Sequence, residues 1–346
     1  MRALQLTGWK RAPEFQDVAD PDPGPGEVVV RIGGAGACHS DLHLLYDFEP
    51  GMMPFDPPFT LGHENAGWVE AIGAGVQRLE PGQPVAVYGP WGCGRCHRCR
   101  HGMENYCENQ AEIGTMGGGL GRDGGMAPLM VVPDARLLVP LDGLDPADAA
   151  PLTDAGLTPY HAVKRSLSLL IPGSTVVVIG VGGLGHMAVQ ILRALTAAQI
   201  IAVDQREAAL AVARDSGADH AVVAANEDAA AEIRDLTGGR GADVVLDIVG
   251  VDATLALAAA IARHLGHVTL VGLGGGSLPF SFFSVAYEVS LATTYWGTVP
   301  ELMEVLALAR AGHIRAHVQR FGLDDAPLVY ERLAAGDIDG RAVIVP

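Results

Sequence analysis

Between Thr175 and Asp204 the chain carries the pattern that most restricts its fold. The apolar run Val176-Val177-Val178-Ile179 passes directly into Gly180-Val181-Gly182-Gly183-Leu184-Gly185. A helical apolar pattern follows through Leu195, and a second run, Ile200-Ile201-Ala202-Val203, ends at Asp204. A strand that enters such a loop and leaves it as a helix is half of a parallel βαβ unit. The first glycine permits the tight turn, the second lets backbone approach a pyrophosphate, and the third lets helix pack on strand, with the helix N-terminus facing the phosphates. The bland reading is a glycine-rich turn in an α/β core. Against it stand the strand before, the helix after and the acid about 20 residues on. A carboxylate at Asp204 accepts hydrogen bonds from a ribose hydroxyl pair and repels a 2′-phosphate, so the expected cofactor is NAD rather than NADP. Arg206, close by, is the residue that would soften this preference.

The texture around this loop extends the reading. Strands are predicted at Thr175–Ile179, Ile200–Val203, His220–Val223, Asp243–Ile248, His267–Val271 and Val289–Thr293, with helix-length connectors between most of them. Continuous apolar strands with crossover helices make a doubly wound parallel sheet of six strands, a complete Rossmann domain in an α/β protein. Before it, short β-rich runs such as Glu27–Ile32, Pro84–Tyr88 and Pro128–Pro133 alternate with Gly/Pro turns, which predicts a mainly antiparallel β domain. A helical stretch is predicted from Pro146 through Asp154 and Tyr160 to Arg165. The tail from Pro300 reads as a helix through Arg310, another near Asp325–Ala335, and a last strand Ala342–Val345. The 346 residues then divide as 1–155, 156–296 and a return to the first domain over 297–346.

The net charge of −17 repels phosphate backbones and anionic membranes, so neither nucleic acid nor lipid is the expected partner. The start of the chain lacks a signal-peptide pattern, and the most apolar region is interrupted by glycines, His186, Gln190 and Arg193. A cytoplasmic location is expected.

Five cysteines are an odd number, and four of them lie in one short stretch, Cys93-x2-Cys96-x2-Cys99-x7-Cys107. That is a poor disulfide framework and a good metal lobe. Four thiolates leave no open position, which suits a structural zinc, with iron fitting the same geometry. The fifth, Cys38, stands in Gly36-Ala37-Cys38-His39-Ser40-Asp41-Leu42-His43. Downstream is the pair His63-Glu64 between glycines. A catalytic zinc needs three protein ligands and one open position, and no cysteine is left to be the third. Asp154 is the candidate, its other reading being an ordinary helix or turn carboxylate.

Together these motifs resemble the zinc-dependent medium-chain alcohol dehydrogenases, over essentially the whole chain. The resemblance rests on Cys38-His39-Ser40-Asp41-Leu42-His43, the Gly-His-Glu-x2-Gly-x5-Gly signature from Gly62 to Gly73, the four-cysteine lobe, the glycine loop and Asp204. It implies a GroES-like catalytic domain, NAD, and two zinc ions per chain. Cys38, His63 and Asp154 would hold the catalytic zinc and Cys93, Cys96, Cys99 and Cys107 the structural one. Many members have a second cysteine at the position of Asp154; aspartate there is similar to the bacterial secondary-alcohol branch.

The resemblance also implies roles. Glu64 would lie beside the zinc and approach it during ligand exchange, or orient groups around it. Ser40 would take the alcohol proton and pass it through cofactor ribose hydroxyls to His43. His39 stands where an arginine often meets the pyrophosphate. Thr158, one helical turn beyond Asp154, would face the nicotinamide carboxamide, as would backbone groups of Val271-Gly272-Leu273. Arg341 would bind a phosphate, its other reading being a surface charge. Tyr295 and Trp296 would line the substrate pocket or fill core. The expected reaction is reversible oxidation of alcohols, preferably secondary, to ketones or aldehydes. Polyols, a threonine-like amino alcohol or an aldehyde adduct are alternative substrates, and a nonenzymatic NAD- and zinc-containing redox sensor is the reading from another class. The family's habit of pairing nucleotide domains implies a homodimer or homotetramer.

Overall fold

The computed structural model describes residues 1–224 and 228–346. Its contacts divide the chain into two units, one of Met1–Leu157, Gly297–Ala311 and Ala316–Pro346, the other of Thr158–Trp296 and Gly312–Arg315.

The second unit holds a six-stranded parallel sheet. Numbered along the chain, its strands are Thr175–Ile179, Gln199–Asp204, His220–Val223, Ala242–Asp247, Ala262–Leu270 and Ser290–Thr293. They lie in the spatial order third, second, first, fourth, fifth, sixth. The helices Gly185–Leu195, Glu207–Asp215, Ala229–Leu236 and Asp252–Ile261 connect successive strands. Val176, Val177, Val178, Val244, Val245 and Leu246 are wholly buried, which is why these strands read as unbroken apolar runs rather than alternating ones. The order reverses between the first and fourth strands, and the glycine loop leaves the first strand at that reversal, where open α/β sheets bind ligands. The fifth strand starts five residues earlier than predicted. Ala262 pairs with Ala242 ahead of an irregularity between Ala242 and Val244.

The first unit is built on the long strand Val28–Ala37. It pairs antiparallel with Glu64–Ile72, Leu129–Val132 and Arg341–Val345. Pro84–Val87 and Leu138–Pro140 continue the sheet on one side. On the other side lies Val318–Gly322, parallel to Arg341–Val345 and not foreseen. Its residues, Val-Gln-Arg-Phe-Gly, are all partly or fully exposed, so no buried alternation marks it.

The single helical stretch predicted from Pro146 to Arg165 is corrected to three pieces. Asp145 caps the short helix Pro146–Ala149 by accepting from the backbone of Ala147 and Asp148. A 3-10 turn follows over Ala150–Thr153, and the helix Leu157–Ser166 starts afresh. Pro151 supplies no N–H and crowds the carbonyl four residues back, which favours the break seen here. Asp154 therefore lies between helices, at φ −135° and ψ −61°, and Thr158 is not one helical turn beyond it.

Candidate active site and metal centres

The strand Val28–Ala37 delivers Cys38 to the start of the helix His39–Tyr46, where Cys38 has extended backbone angles and serves as N-cap. Its N–H donates to Asp41 Oδ2 at 3.0 Å, so the third helical residue caps the helix from within. Antiparallel pairing sets Gly36 opposite Glu64, which brings His63 alongside Cys38. A Cβ on Gly36 would lie 2.0 Å from Glu64 Oε2, so only glycine fits there. The C-terminal strand, with Ala342 opposite Ala37, places Arg341 at the same spot.

The donor atoms of Cys38, His63, Glu64 and Asp154 all lie within 4.8 Å of one another, and all four side chains are buried. Asp154 Oδ2 is 3.6 Å from His63 Nε2 and 3.8 Å from Cys38 Sγ. A tetrahedral zinc with bond lengths of about 2.0–2.3 Å sets neighbouring ligand atoms about 3.3–3.8 Å apart. The thiol, imidazole and carboxylate thus fit the ion on spacing as well as chemistry. Asp41, wholly buried, fixes the imidazole by accepting at Oδ1 from His63 Nδ1 at 2.9 Å, which turns Nε2 toward the cluster. Burial opposes protonation of His63. The nearby Asp41, Asp154 and Cys38 outweigh it and hold the imidazole pKa well above its usual value. So anionic a pocket calls for a cation.

Glu64 bonds Arg341 through Oε1. Burial pushes the Glu64 carboxyl up to about 7 despite the guanidinium, and Asp154 adds to the effect. Arg341 is 3% exposed, so it is not a terminal surface charge, and its guanidinium bonds Glu64. Ser40 is half-buried with Oγ 3.8 Å from Cys38 Sγ. His43, one turn on, has Nδ1 on the exposed Asp47 and its ring stacked against Phe48. His39 is exposed at the first position of the helix.

The second thiol set is a turn-rich lobe in the same unit. Cys93, Cys96, Cys99 and Cys107 have sulfurs within 4.8 Å of one another. Backbone N–H groups of Cys93, Cys96, Cys99 and Asn109 donate to the sulfurs of Cys107, Cys93, Cys96 and Cys107 at 3.3–3.4 Å. Such donors favour thiolates. Against burial, which raises it, the N–H groups of Arg95 and Cys96 bring the Cys93 thiol down to about 6. Burial pushes Cys99 and Cys107 up, so these two need a metal to ionise at neutral pH. Arg136 anchors the lobe, donating to Gly92 O at 2.8 Å and to Glu104 Oε1 at 3.1 Å.

In the second unit, Gly180 takes φ +89° and donates its N–H to Val203 O at 2.7 Å. A Cβ on Gly185 would sit 1.9 Å from Gly180 O, whereas one on Gly182 would meet open space. Leu184 is the N-cap of the helix Gly185–Leu195, and Gly183 lies between them and the turn. Asp204 is more than a terminal acid. Its Oδ2 accepts from Val181 N–H at 2.7 Å and its Oδ1 from Arg206 N–H at 2.9 Å, so it ties the loop to the next helix. Arg206 is exposed, with Nε 3.8 Å from Asp204 Oδ1. Val271 and Gly272 both donate N–H to Asp247 O; Leu273 is exposed. Thr158 is buried. Tyr295 and Trp296 meet edge to face at 6.2 Å, with Trp296 buried and at φ +52°.

Sequence reasoning gave Asp41 no role, although a cysteine N-cap with an acid three residues on is the spacing of a capping box. Tyr330, which donates to Asp41, leaves no local signal because it lies 289 residues away.

Two family models match the chain: the alcohol dehydrogenase GroES-like domain over residues 24–143 and the zinc-binding dehydrogenase over residues 183–311. An NAD-dependent alcohol dehydrogenase of Sulfurisphaera tokodaii is 35% identical, covering 100% of both chains. Among solved structures, the alcohol dehydrogenase of Aeropyrum pernix is 38% identical with a TM-score of 0.92 and full coverage of both chains. Acetophenone reductase of Geotrichum candidum, in complex with NAD, is 34% identical with a TM-score of 0.86, covering 100% of this chain and 97% of that one.

Proposed function

The chain belongs to the zinc-dependent medium-chain alcohol dehydrogenases, and from that membership we propose that it oxidises secondary alcohols to ketones, reversibly, with NAD. The observation that carries the reading is the convergence of Cys38 Sγ, His63 Nε2 and Asp154 Oδ2 at tetrahedral spacing beside the Ser40 hydroxyl. When bound, zinc would supply Lewis acidity toward the substrate oxygen, and NAD would supply the hydride acceptor. The rest falls to the chain. Cys38 and Asp154 provide two negative charges and His63 a neutral ring, so a divalent ion leaves the set uncharged. Ser40 would take the alcohol proton and pass it on to His43, which is held by Asp47 and would release it to solvent. The Arg341 guanidinium neutralises Glu64 within hydrogen-bond reach of the ligand shell. Asp204 holds the adenosine ribose through the lone pairs its backbone donors leave open. The four-thiolate lobe holds a structural zinc.

A secondary-alcohol preference is supported by the likeness to acetophenone reductase, since reduction of that ketone gives a secondary alcohol. NADH formation on matched primary and secondary alcohols, in both hands, tests it; faster turnover of every primary alcohol would refute it. Turnover of any alcohol also disposes of the sensor reading.

The enzyme works as a homo-oligomer in the cytoplasm, on small alcohols and ketones. Ser290–Thr293 is the outermost strand of its sheet, and Leu291, Leu265, Tyr287, Phe282 and Phe283 are exposed along or near it. A strand edge bearing that much apolar surface calls for a second copy. Leu291→Arg should yield monomers in sedimentation; an unchanged oligomer would move the interface elsewhere. None of the five cysteines forms a disulfide, which suits a reducing compartment.

A further inference from the structure

We propose that Tyr330 is a positioning residue of the catalytic metal site, acting through Asp41 on the imidazole of His63. The inference rests on the zinc reading of the Cys38, His63 and Asp154 cluster. Asp41 has no exposure to bulk solvent, so its carboxylate depends on buried donors. Oδ1 accepts from His63 Nδ1 at 2.9 Å, while Oδ2 accepts from Cys38 N–H at 3.0 Å and from the Tyr330 hydroxyl at 3.1 Å. Three donors from three parts of the chain thereby fix the plane of the carboxylate. Two of them belong to residues of the cluster itself; only Tyr330, on the helix Ala326–Ala335, stands outside it.

A buried phenol is costly unless its hydroxyl is bonded, and phenylalanine would fill the same space without that cost. The hydroxyl therefore has work to do at Asp41. It shares the negative charge of Oδ2 and holds Oδ1 toward His63, so that the ring presents Nε2 at a fixed angle. Without it, Oδ2 keeps one donor, the carboxylate can rotate, and the ring it orients loosens.

The test is Tyr330→Phe in the full-length holoenzyme. Zinc affinity is read by competition with a chromophoric chelator, the four-thiolate zinc serving as internal standard. The catalytic-site dissociation constant should rise about tenfold, the lower end of the effect for partners of metal ligands, while the structural zinc is unaffected. In cobalt-substituted enzyme the d–d bands should shift. In an Asp41→Asn background the same substitution should add nothing, because the effect passes through the carboxylate. Zinc affinity within twofold of wild type with unshifted cobalt bands would overturn the proposal. So would equal loss of both metals with loss of circular dichroism, which would make Tyr330 a packing residue. Affinity and spectra are read without turnover. A protein that binds zinc as described yet oxidises no alcohol would refute the proposed reaction and leave the role of Tyr330 standing.

Discussion

Asp204→Asn separates two jobs of one carboxylate, the loop tether that the structure shows and the ribose contact that the proposed function adds. The first is local: Oδ2 and Oδ1 accept from the N–H groups of Val181 and Arg206 at 2.7 and 2.9 Å. An amide keeps only one acceptor oxygen, so one N–H loses its partner, at about 1–3 kcal/mol if left unsatisfied. That loss loosens the glycine loop for any dinucleotide. The second job is selective. Each charged hydrogen bond to a ribose hydroxyl contributes about 1.5–3 kcal/mol, so its loss should lower kcat/KM for NAD by roughly 10- to 150-fold. For NADP the same change removes a repulsion, and it releases Arg206, whose Nε lies 3.8 Å from Asp204 Oδ1, to meet the 2′-phosphate. The ratio of kcat/KM for NAD to that for NADP should therefore fall at least about tenfold. Initial rates with both cofactors at saturating alcohol measure it. If both values fall by the same factor, Asp204 is a loop tether only, and its role in choosing the cofactor is refuted.

Two further substitutions probe the surroundings of the metal sites. Arg136→Ala removes the bonds to Gly92 O and Glu104, leaving a buried carboxylate behind; it should cost about 1–3 kcal/mol and speed release of the structural zinc to a chelator. Release at the wild-type rate would show that the lobe needs no such anchor. Gly36→Ala would place a Cβ 2.0 Å from Glu64 Oε2 and 2.9 Å from its Cβ. Overpacking should cost about 1–3 kcal/mol, seen as a lowered denaturant midpoint with reduced zinc affinity; an unchanged midpoint would mean that the Gly36–Glu64 pairing relaxes freely.

What could be read from the sequence follows from where each signal resides. The parallel sheet was legible because burial on both faces forces unbroken apolar strands, and the glycine loop because its turn and its close helix packing admit so few side chains. The strand Val318–Gly322 was not, since a partly exposed edge strand is under no such demand. Asp154 was assigned to a continuous helix, although Pro151 alone argued for the break that carries it into the cluster. The spacing of Cys93, Cys96, Cys99 and Cys107 pointed to a closed metal lobe, whereas the ligand role of Cys38 came from the family resemblance. Arg341 and Tyr330 could not be placed by spacing, because strand pairing and helix packing bring them from the far end of the chain to Glu64 and Asp41.

The central claim is that one zinc sits on Cys38, His63 and Asp154 and carries the reaction while a second sits in the four-thiolate lobe. Metal analysis of Cys38→Ser alongside NADH formation addresses it directly. The account predicts about two zinc ions per chain in wild type and about one in the variant, with alcohol turnover lost and NAD binding retained. Full activity in the variant, or two zinc ions still bound, would remove Cys38 from the catalytic site and contradict the account.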